Sequence, residues 1–447
     1  MSDKIYSLEE IRAISAPIAK AYGVAAMYLF GSYARGEAES HSDLDFRIEK
    51  GKLRGMWQLA DMLSDLENQF GKPVDLITSS DAGFMQKIKK DEIKIYERDK
   101  EATLMYTFDE AYCLEEFRKL LEIDSTTGQF RQIQDFMREE ITAMGYPCSE
   151  IHKGGLIADL GGEGDTLVLT AHLDDIGLMV RRINADGTLN VCPVGGLYPF
   201  YCMMDNVRVH TFDGKIITGT VCRTPNSIHV TEEELRVAEP DFRKNVCVVL
   251  DAPVHTAAET RALGIETGDY IGLEPRFTTS GGYIKSRFVD DKACVAVLMT
   301  AMKYLKDNGL TPKRHVLAYF ATYEELGHGT SWLPEGVRDL VALDIAPTGP
   351  DQNSEEHKVS IFAKDSRFPY HSELTDELHR LAIDLGLDYV MDVFTPHYGS
   401  DGDTSIVAGH NIRHAAIGPG TANSHGYERT HVDGLRNTYL LTLGMMV

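Results

Sequence analysis

Short apolar runs that stop abruptly at acidic residues or histidines recur along this 447-residue chain. Thr166-Leu167-Val168-Leu169 leads into Thr170-Ala171-His172-Leu173-Asp174-Asp175, and Phe288-Val289 into Asp290-Asp291. Val316-Leu317-Ala318-Tyr319-Phe320 precedes Glu324-Glu325, and Leu340-Val341-Ala342-Leu343 precedes Asp344. Ala415-Ala416-Ile417 is followed by Gly418-Pro419-Gly420 and then His425. Continuous apolar runs of this length read as buried strands. In an open α/β sheet the site lies outside the carboxyl ends of the strands, so these polar residues are predicted to converge on one crevice.

Helical spacing fills the intervals. Phe130, Ile133, Met137, Ile141 and Met144 share one face, with Gly145 and Pro147 as stop signals. Ala293, Val297, Ala301 and Tyr304 share another, ending at Gly309. Cys294 on that helix reads as core packing. Between Arg182 and Phe288 the pattern changes to short strands separated by turns such as Asp186-Gly187 and Asp213-Gly214. The expectation is a β-barrel-like domain at 185–285, serving dimerisation or substrate binding, inserted into an α/β/α catalytic domain formed by 105–184 and 286–447.

Residues 1–100 form a separate unit. Leu8, Ile11, Ile14 and Ile18 have helical spacing, as do Met56, Leu59, Leu63, Leu66 and Phe70. Between them the strand Ala25-Ala26-Met27-Tyr28-Leu29-Phe30 runs into Gly31-Ser32. Asp43 and Asp45, two residues apart, share a strand face, and Asp75 sits in Val74-Asp75-Leu76-Ile77 on a neighbouring strand. Three carboxylates on one face are costly unless cations neutralise them, and magnesium ions carrying a nucleoside triphosphate would do so. A Gly-Ser turn lets backbone approach phosphates closely. The charged run Glu97-Arg98-Asp99-Lys100-Glu101 reads as a linker.

Charge narrows the choice of partner. A formal net charge of -23 argues against sequence-independent binding to DNA or anionic membranes. Seven scattered cysteines without a C-x-x-C pair match a reducing compartment and offer no thiolate metal site. The amino terminus lacks a basic region followed by an apolar one, and no apolar run reaches membrane-spanning length. A cytoplasmic protein is expected.

On its own stretch, His172 reads equally as a metal ligand, with Asp174 accepting the other ring N–H, or as a strand-end histidine satisfied by a carboxylate. The further acidic residues and histidine at the other strand ends favour the metal.

Over residues 20–98 the chain resembles the minimal nucleotidyltransferase family, whose signature is Gly-Ser, then Asp-x-Asp, then a later Asp. The resemblance implies Asp43, Asp45 and Asp75 as magnesium ligands and Gly31 and Ser32 as contacts to ATP or another nucleotide. A non-catalytic regulatory or partner-binding module is the alternative for this unit.

After residue 105, the order His172-x-Asp174, Asp290-Asp291, Glu324-Glu325-x-Gly327, Asp344 and a late histidine resembles the TET or glutamyl aminopeptidase family of dinuclear metallopeptidases. So do the roughly hundred-residue β insertion and Leu263-Gly264-Ile265-Glu266-Thr267-Gly268-Asp269 near its end. The resemblance implies that Asp290 bridges two metal ions across a cis Asp290-Asp291 peptide. One ion would also take His172 and Asp344, and the other Glu325 and His425, with Asp174 orienting His172. Glu324 would act as general base on the water that the metals activate. Zinc or cobalt suits these ligands, and manganese is compatible.

The tail Ser424-His425-Gly426-Tyr427-Glu428-Arg429-Thr430-His431 departs from the family's usual His-Ser-x-x-Glu, which leaves His431 as an alternative last ligand. This tail resembles a subgroup found with genes for an acetylated glutamine dipeptide osmolyte, which implies a small dipeptide as substrate. His328, His397, His410, His414 and His431 read as structural or substrate-facing rather than as ligands. The family's assembly implies a homo-oligomer, from dimer to dodecamer. The expected activity is removal of amino-terminal residues from peptides or dipeptides; a deacylase or dipeptidase acting on another small amide is the alternative.

Overall fold

The computed structural model describes residues 4–49, 51, 55–78, 90–97, 106–225, 227 and 229–447. Residues 98–101 of the charged run and the side chain of Met56 lie outside the described residues. The chain divides into two compact units, residues 1–107 with 382–386, and residues 108–381 with 387–447.

In the first unit, strands β1 (Ala26–Phe30), β2 (Leu44–Glu49), β3 (Val74–Ile77) and β4 (Ile93–Glu97) form a sheet in the order β3-β2-β1-β4. The helix Leu8–Ala21 opens with a capping box between Ser7 and Glu10, which satisfies orphan amides of its first turn. Its Ile11 packs with Met27, Leu29, Phe46, Leu66 and Phe70 in one core, and the last two come from the helix Gly55–Phe70. Strand β2 runs antiparallel to β1 and parallel to β3, which puts Asp45 beside Asp75.

The second unit carries strands β5 (Cys148–Glu150), β6 (Leu156–Gly161), β7 (Thr166–His172), β8 (Gly177–Ile183), β9 (Leu189–Val194), β10 (Asn206–His210), β11 (Ile216–Arg223), β12 (Val246–Leu250) and β13 (Tyr270–Leu273). They are followed by β14 (Thr278–Ser280), β15 (Tyr283–Ser286), β16 (Val316–Ala321), β17 (Val337–Leu343), β18 (Ala346–Pro347), β19 (Val359–Lys364), β20 (Tyr389–Val393), β21 (Arg413–Thr421) and β22 (Glu428–His431).

A nine-stranded sheet has the order β20-β19-β21-β17-β7-β16-β6-β5, with β18 paired to β21. Strand β7 is buried at every residue and lies between β16 and β17, parallel to both. Strand β21 is parallel to β17. The carboxyl ends of four strands therefore open on the same side, as the apolar runs predict.

Two expectations are corrected. Strands β8 to β13 close into a barrel in the order β10-β11-β12-β9-β8-β13. The barrel thus begins at Gly177, not at 185, and β14, β15 and β22 form a separate three-stranded sheet in that order. Only four residues separate His172 from Gly177, and no change of composition marks the passage between the two sheets. The second correction concerns Phe288-Val289, which is no strand end. Phe288 has a left-handed backbone (φ 62°) and caps the helix Val289–Asp307, whose first turn departs from helical geometry at Asp290 and Asp291. That helix is buried almost all round, so the two apolar residues at its start look the same as the end of a buried strand.

Candidate metal centre and active-site cleft

His172 ends β7 with its ring buried. Its Nδ1 lies 2.9 Å from the main-chain oxygen of Asp174, whereas the Asp174 carboxylate stands 3.7 Å away. Asp174 therefore meets His172 through its main-chain oxygen rather than through the expected carboxylate. The Asp174 carboxylate instead accepts the main-chain N–H groups of Glu324 (3.1 Å) and Glu325 (3.4 Å) and the Thr127 hydroxyl (2.8 Å). Asp174 thereby fixes the His172 ring and the turn bearing both glutamates.

With Nδ1 donating to that carbonyl, Nε2 is the ring nitrogen left to bind a cation in exchange for its proton. This atom faces Asp290 Oδ1 at 3.0 Å and Glu324 Oε2 at 3.7 Å. On the opposite side His425 Nε2 faces Asp290 Oδ2 at 3.6 Å and Glu325 Oε2 at 3.4 Å. His425 Nδ1 is 3.1 Å from the Gly196 oxygen, so it too is held through its second nitrogen.

Donor atoms of His172, Asp290 and Glu325 all lie within 4.8 Å of one another, as do those of Asp290, Asp291 and Asp344. Asp290 belongs to both groups. The Asp290-Asp291 peptide is cis. His431, the alternative last ligand, is not in this cluster; its ring lies against His357.

Electrostatics point the same way. Burial, reinforced by mutual repulsion, pushes the carboxyls of Asp291, Glu324, Glu325 and Asp344 well above their ordinary range. Burial alone would lower the His172 imidazole, but Asp290 and Glu324 carry it well above its usual value. Asp290 is the exception: burial would raise it, and the His172 and His425 imidazoles hold it below. Two imidazole nitrogens among crowded carboxylates, with donor atoms 3.0–3.6 Å apart, fit divalent cations that would take the place of the shared protons.

Backbone geometry is spent here. Phe288, Tyr323 and His425 are non-glycine residues with φ of 62°, 67° and 61°, each at or next to a turn that carries one of the clustered side chains. The turn Glu324–Leu326 ends on Gly327 at φ 73°.

The clustered side chains face two adjoining cavities. One, of about 590 Å³, is lined by Glu324, Glu325, Asp344, Arg367, His397 and Tyr398. The other, of about 480 Å³, is walled by Tyr198, Tyr201, Phe394 and Pro396 and shares Asp290, His397, Tyr398 and His425 with the first. His397 is thus one of the histidines expected to face substrate. His328 instead stacks on Tyr323, and His414 is buried.

Several residues of the site carried no individual sequence signal. Glu428 accepts the amides of Asp290 and His425, and its only trace is the His425-x-x-Glu428 spacing. Tyr398 and Arg367 come from loops, where no pattern announces them. Buried Lys292 pairs with Asp175 at 2.6 Å behind the Asp290-Asp291 turn.

In the first unit, donor atoms of Asp43, Asp45 and Asp75 also lie within 4.8 Å of one another. Burial, together with Asp43 and Asp75, raises the Asp45 carboxyl to about 6. Gly31 has φ 74°, and a Cβ there would stand 2.0 Å from Asp45 Oδ2, so only glycine lets the turn close on that carboxylate. Ser32 follows in the same short helix, Gly31–Arg35.

Known proteins share both parts. The profile of the M42 glutamyl aminopeptidase family matches residues 154–441, and that of the polymerase beta nucleotidyltransferases matches residues 13–101. YhfE of Bacillus subtilis, a candidate aminopeptidase by name, is 36% identical over 329 residues, 73% of this chain and 94% of its own. The protein adenylyltransferase MntA of Thermococcus cleftensis is 32% identical over 78 residues, 17% of this chain and 79% of its own. The TET1 peptidase of Pyrococcus horikoshii superposes with a TM-score of 0.67 at 22% identity, covering 75% of this chain and 99% of its own. Among the described residues no helix is long and apolar enough to cross a membrane.

Proposed function

Because the chain belongs to the M42 glutamyl aminopeptidase family, whose members are metal-dependent hydrolases, we propose that it removes amino-terminal residues from peptides or dipeptides with Glu324 as general base. The observation that carries this reading is the convergence of His172, Asp290, Glu325, Asp344 and His425 around a cleft into which Glu324 projects without being needed as a ligand. His172 and Asp344 would hold one divalent ion, Glu325 and His425 the other, and Asp290 both. Bound there, zinc, cobalt or manganese ions supply Lewis acidity, lowering the pKa of water towards about 7 and offsetting the carboxylate charge.

The protein's own groups do the rest. Glu324 takes a proton from the attacking water and returns it to the leaving amine nitrogen as the peptide bond breaks. Burial raises this carboxyl, which strengthens it as a proton acceptor. Asp174 holds the Glu324 amide, so the base is placed by the same residue that places His172.

Where the two cavities meet, one side of a bound peptide faces Arg367 and the other the aromatic wall. Among the described residues no carboxylate is ion-paired with the Arg367 guanidinium, which suits it to an acidic side chain or the α-carboxylate of a dipeptide. The exposed Phe200, Met204, Phe212 and Ile216 of the inserted barrel support self-association there.

For the first unit the proposal is a magnesium and nucleotide site made by Asp43, Asp45, Asp75, Gly31 and Ser32, fused to the peptidase. Hydrolysis of amino-acid anilides and dipeptides, free and amino-blocked, tests the first claim: equal cleavage of blocked substrates contradicts an aminopeptidase and favours a deacylase. Labelled ATP with and without magnesium tests the second.

A further inference from the structure

His357, His431 and Asp433 lie away from the cleft and take no part in the proposed reaction. Their donor atoms fall within 4.8 Å of one another. Asp433 Oδ2 is 3.4 Å from His357 Nδ1 and 3.3 Å from His431 Nδ1, and the two rings have centroids 3.9 Å apart. These separations are long for hydrogen bonds, which cluster near about 2.9 Å. They match a tetrahedral ion, for which donors at about 2.0–2.1 Å stand roughly 3.3–3.4 Å apart.

The surroundings also suit a metal. His357 Nε2 is 3.2 Å from the Tyr283 hydroxyl, an oxygen partner for the second nitrogen of a ligating imidazole. Arg436 pairs with Asp433 through Oδ1 at 2.6 Å and leaves Oδ2 turned to the histidines. His431 Nδ1 accepts the Asp433 amide at 3.1 Å as a helix cap, a contact that ligation would replace. His431 is buried, while His357 and Asp433 are partly open to solvent, which gives an ion access.

We propose that His357, His431 and Asp433 form a third divalent-metal site, of the zinc type, separate from the catalytic cleft. Two imidazoles and one carboxylate select zinc, nickel or copper over magnesium. The ion would tie the segment before β19, the end of β22 and the first turn of the helix Val432–Met446. Strand β22 begins at Glu428, so the tie would stiffen the strand from which Asp290 and His425 are held.

The test uses the full chain dialysed against zinc in excess magnesium. Metal content by mass spectrometry and thermal melting are compared for wild type, His357→Ala and Asp433→Asn. Each variant is expected to carry one zinc fewer per chain than wild type, to keep aminopeptidase activity, and to show a smaller zinc-induced rise in Tm. Equal zinc content in wild type and both variants overturns the proposal. So does a His357→Ala protein that loses all its zinc together with activity, because the cluster would then be part of the cleft's support. Loss of activity in Glu325→Gln bears only on the cleft and leaves this site's stoichiometry to be read separately.

Discussion

The Glu428 carboxylate accepts the amide of Asp290 at 3.0 Å through Oε2, and its Oε1 accepts the amide of His425 at 2.9 Å. One side chain thus sets the backbone of two proposed ligands that are 135 residues apart in sequence (425 − 290). Glu428→Gln would turn an NH₂ group onto one of those amides. It is expected to keep the fold and weaken metal retention by about 10–100-fold, as other outer-shell losses do. Metal content after dialysis against a graded chelator checks this.

Asp124 receives Arg208 Nε at 2.6 Å and His210 Nε2 at 2.7 Å. Burial would raise its carboxyl, yet these partners hold it at about 2. A depressed carboxyl stabilises the fold above its ordinary value of 3.8, and the gain is lost as pH falls towards 2. Asp124→Asn should cost about 2–3 kcal/mol near neutral pH, less than a fully buried pair because Arg208 is partly exposed. Denaturant melts of wild type and variant should converge in acid.

The opposite sign holds for Asp45, raised to about 6. A raised carboxyl destabilises the metal-free unit as pH climbs from the ordinary value towards 6, because the folded state binds the proton more tightly. Magnesium competes with that proton, so its affinity should rise on crossing pH 6 upwards. Isothermal titration on either side of pH 6 reads this, and Asp45→Asn should abolish magnesium-dependent ATP binding while peptide hydrolysis is unchanged.

Arg367→Ala should lower kcat/KM by about 10–100-fold for substrates presenting a carboxylate to its lobe, the worth of one charge-assisted hydrogen bond. Neutral amino-acid anilides should lose little. A substrate panel on both proteins decides it, and a uniform loss across the panel would remove Arg367 from specificity.

Much of the candidate site was legible because buried parallel strands write themselves as unbroken apolar runs, and β7, β16, β17 and β21 each carry a proposed ligand or the proposed base at or shortly beyond their ends. Asp290 was legible at the start of the helix that carries Ala293, Val297 and Ala301, but the two apolar residues before it read equally as a strand end or as the helix's own entry. The two-residue step from His172 to Asp174 fits either the carbonyl or the carboxylate, and spacing cannot choose between atoms. Glu428 acts on main-chain amides, which have no sequence identity to match. The barrel's first strand was absorbed into the catalytic sheet because Gly177–Ile183 follows β7 without a break in composition.

Glu324→Gln is the most direct test of the proposed chemistry, read as kcat alongside metal content. Removing a general base while leaving every proposed ligand should cut kcat by about 10²–10⁴-fold with the metal stoichiometry unchanged. A variant that keeps its metals and retains wild-type kcat would contradict the role of Glu324.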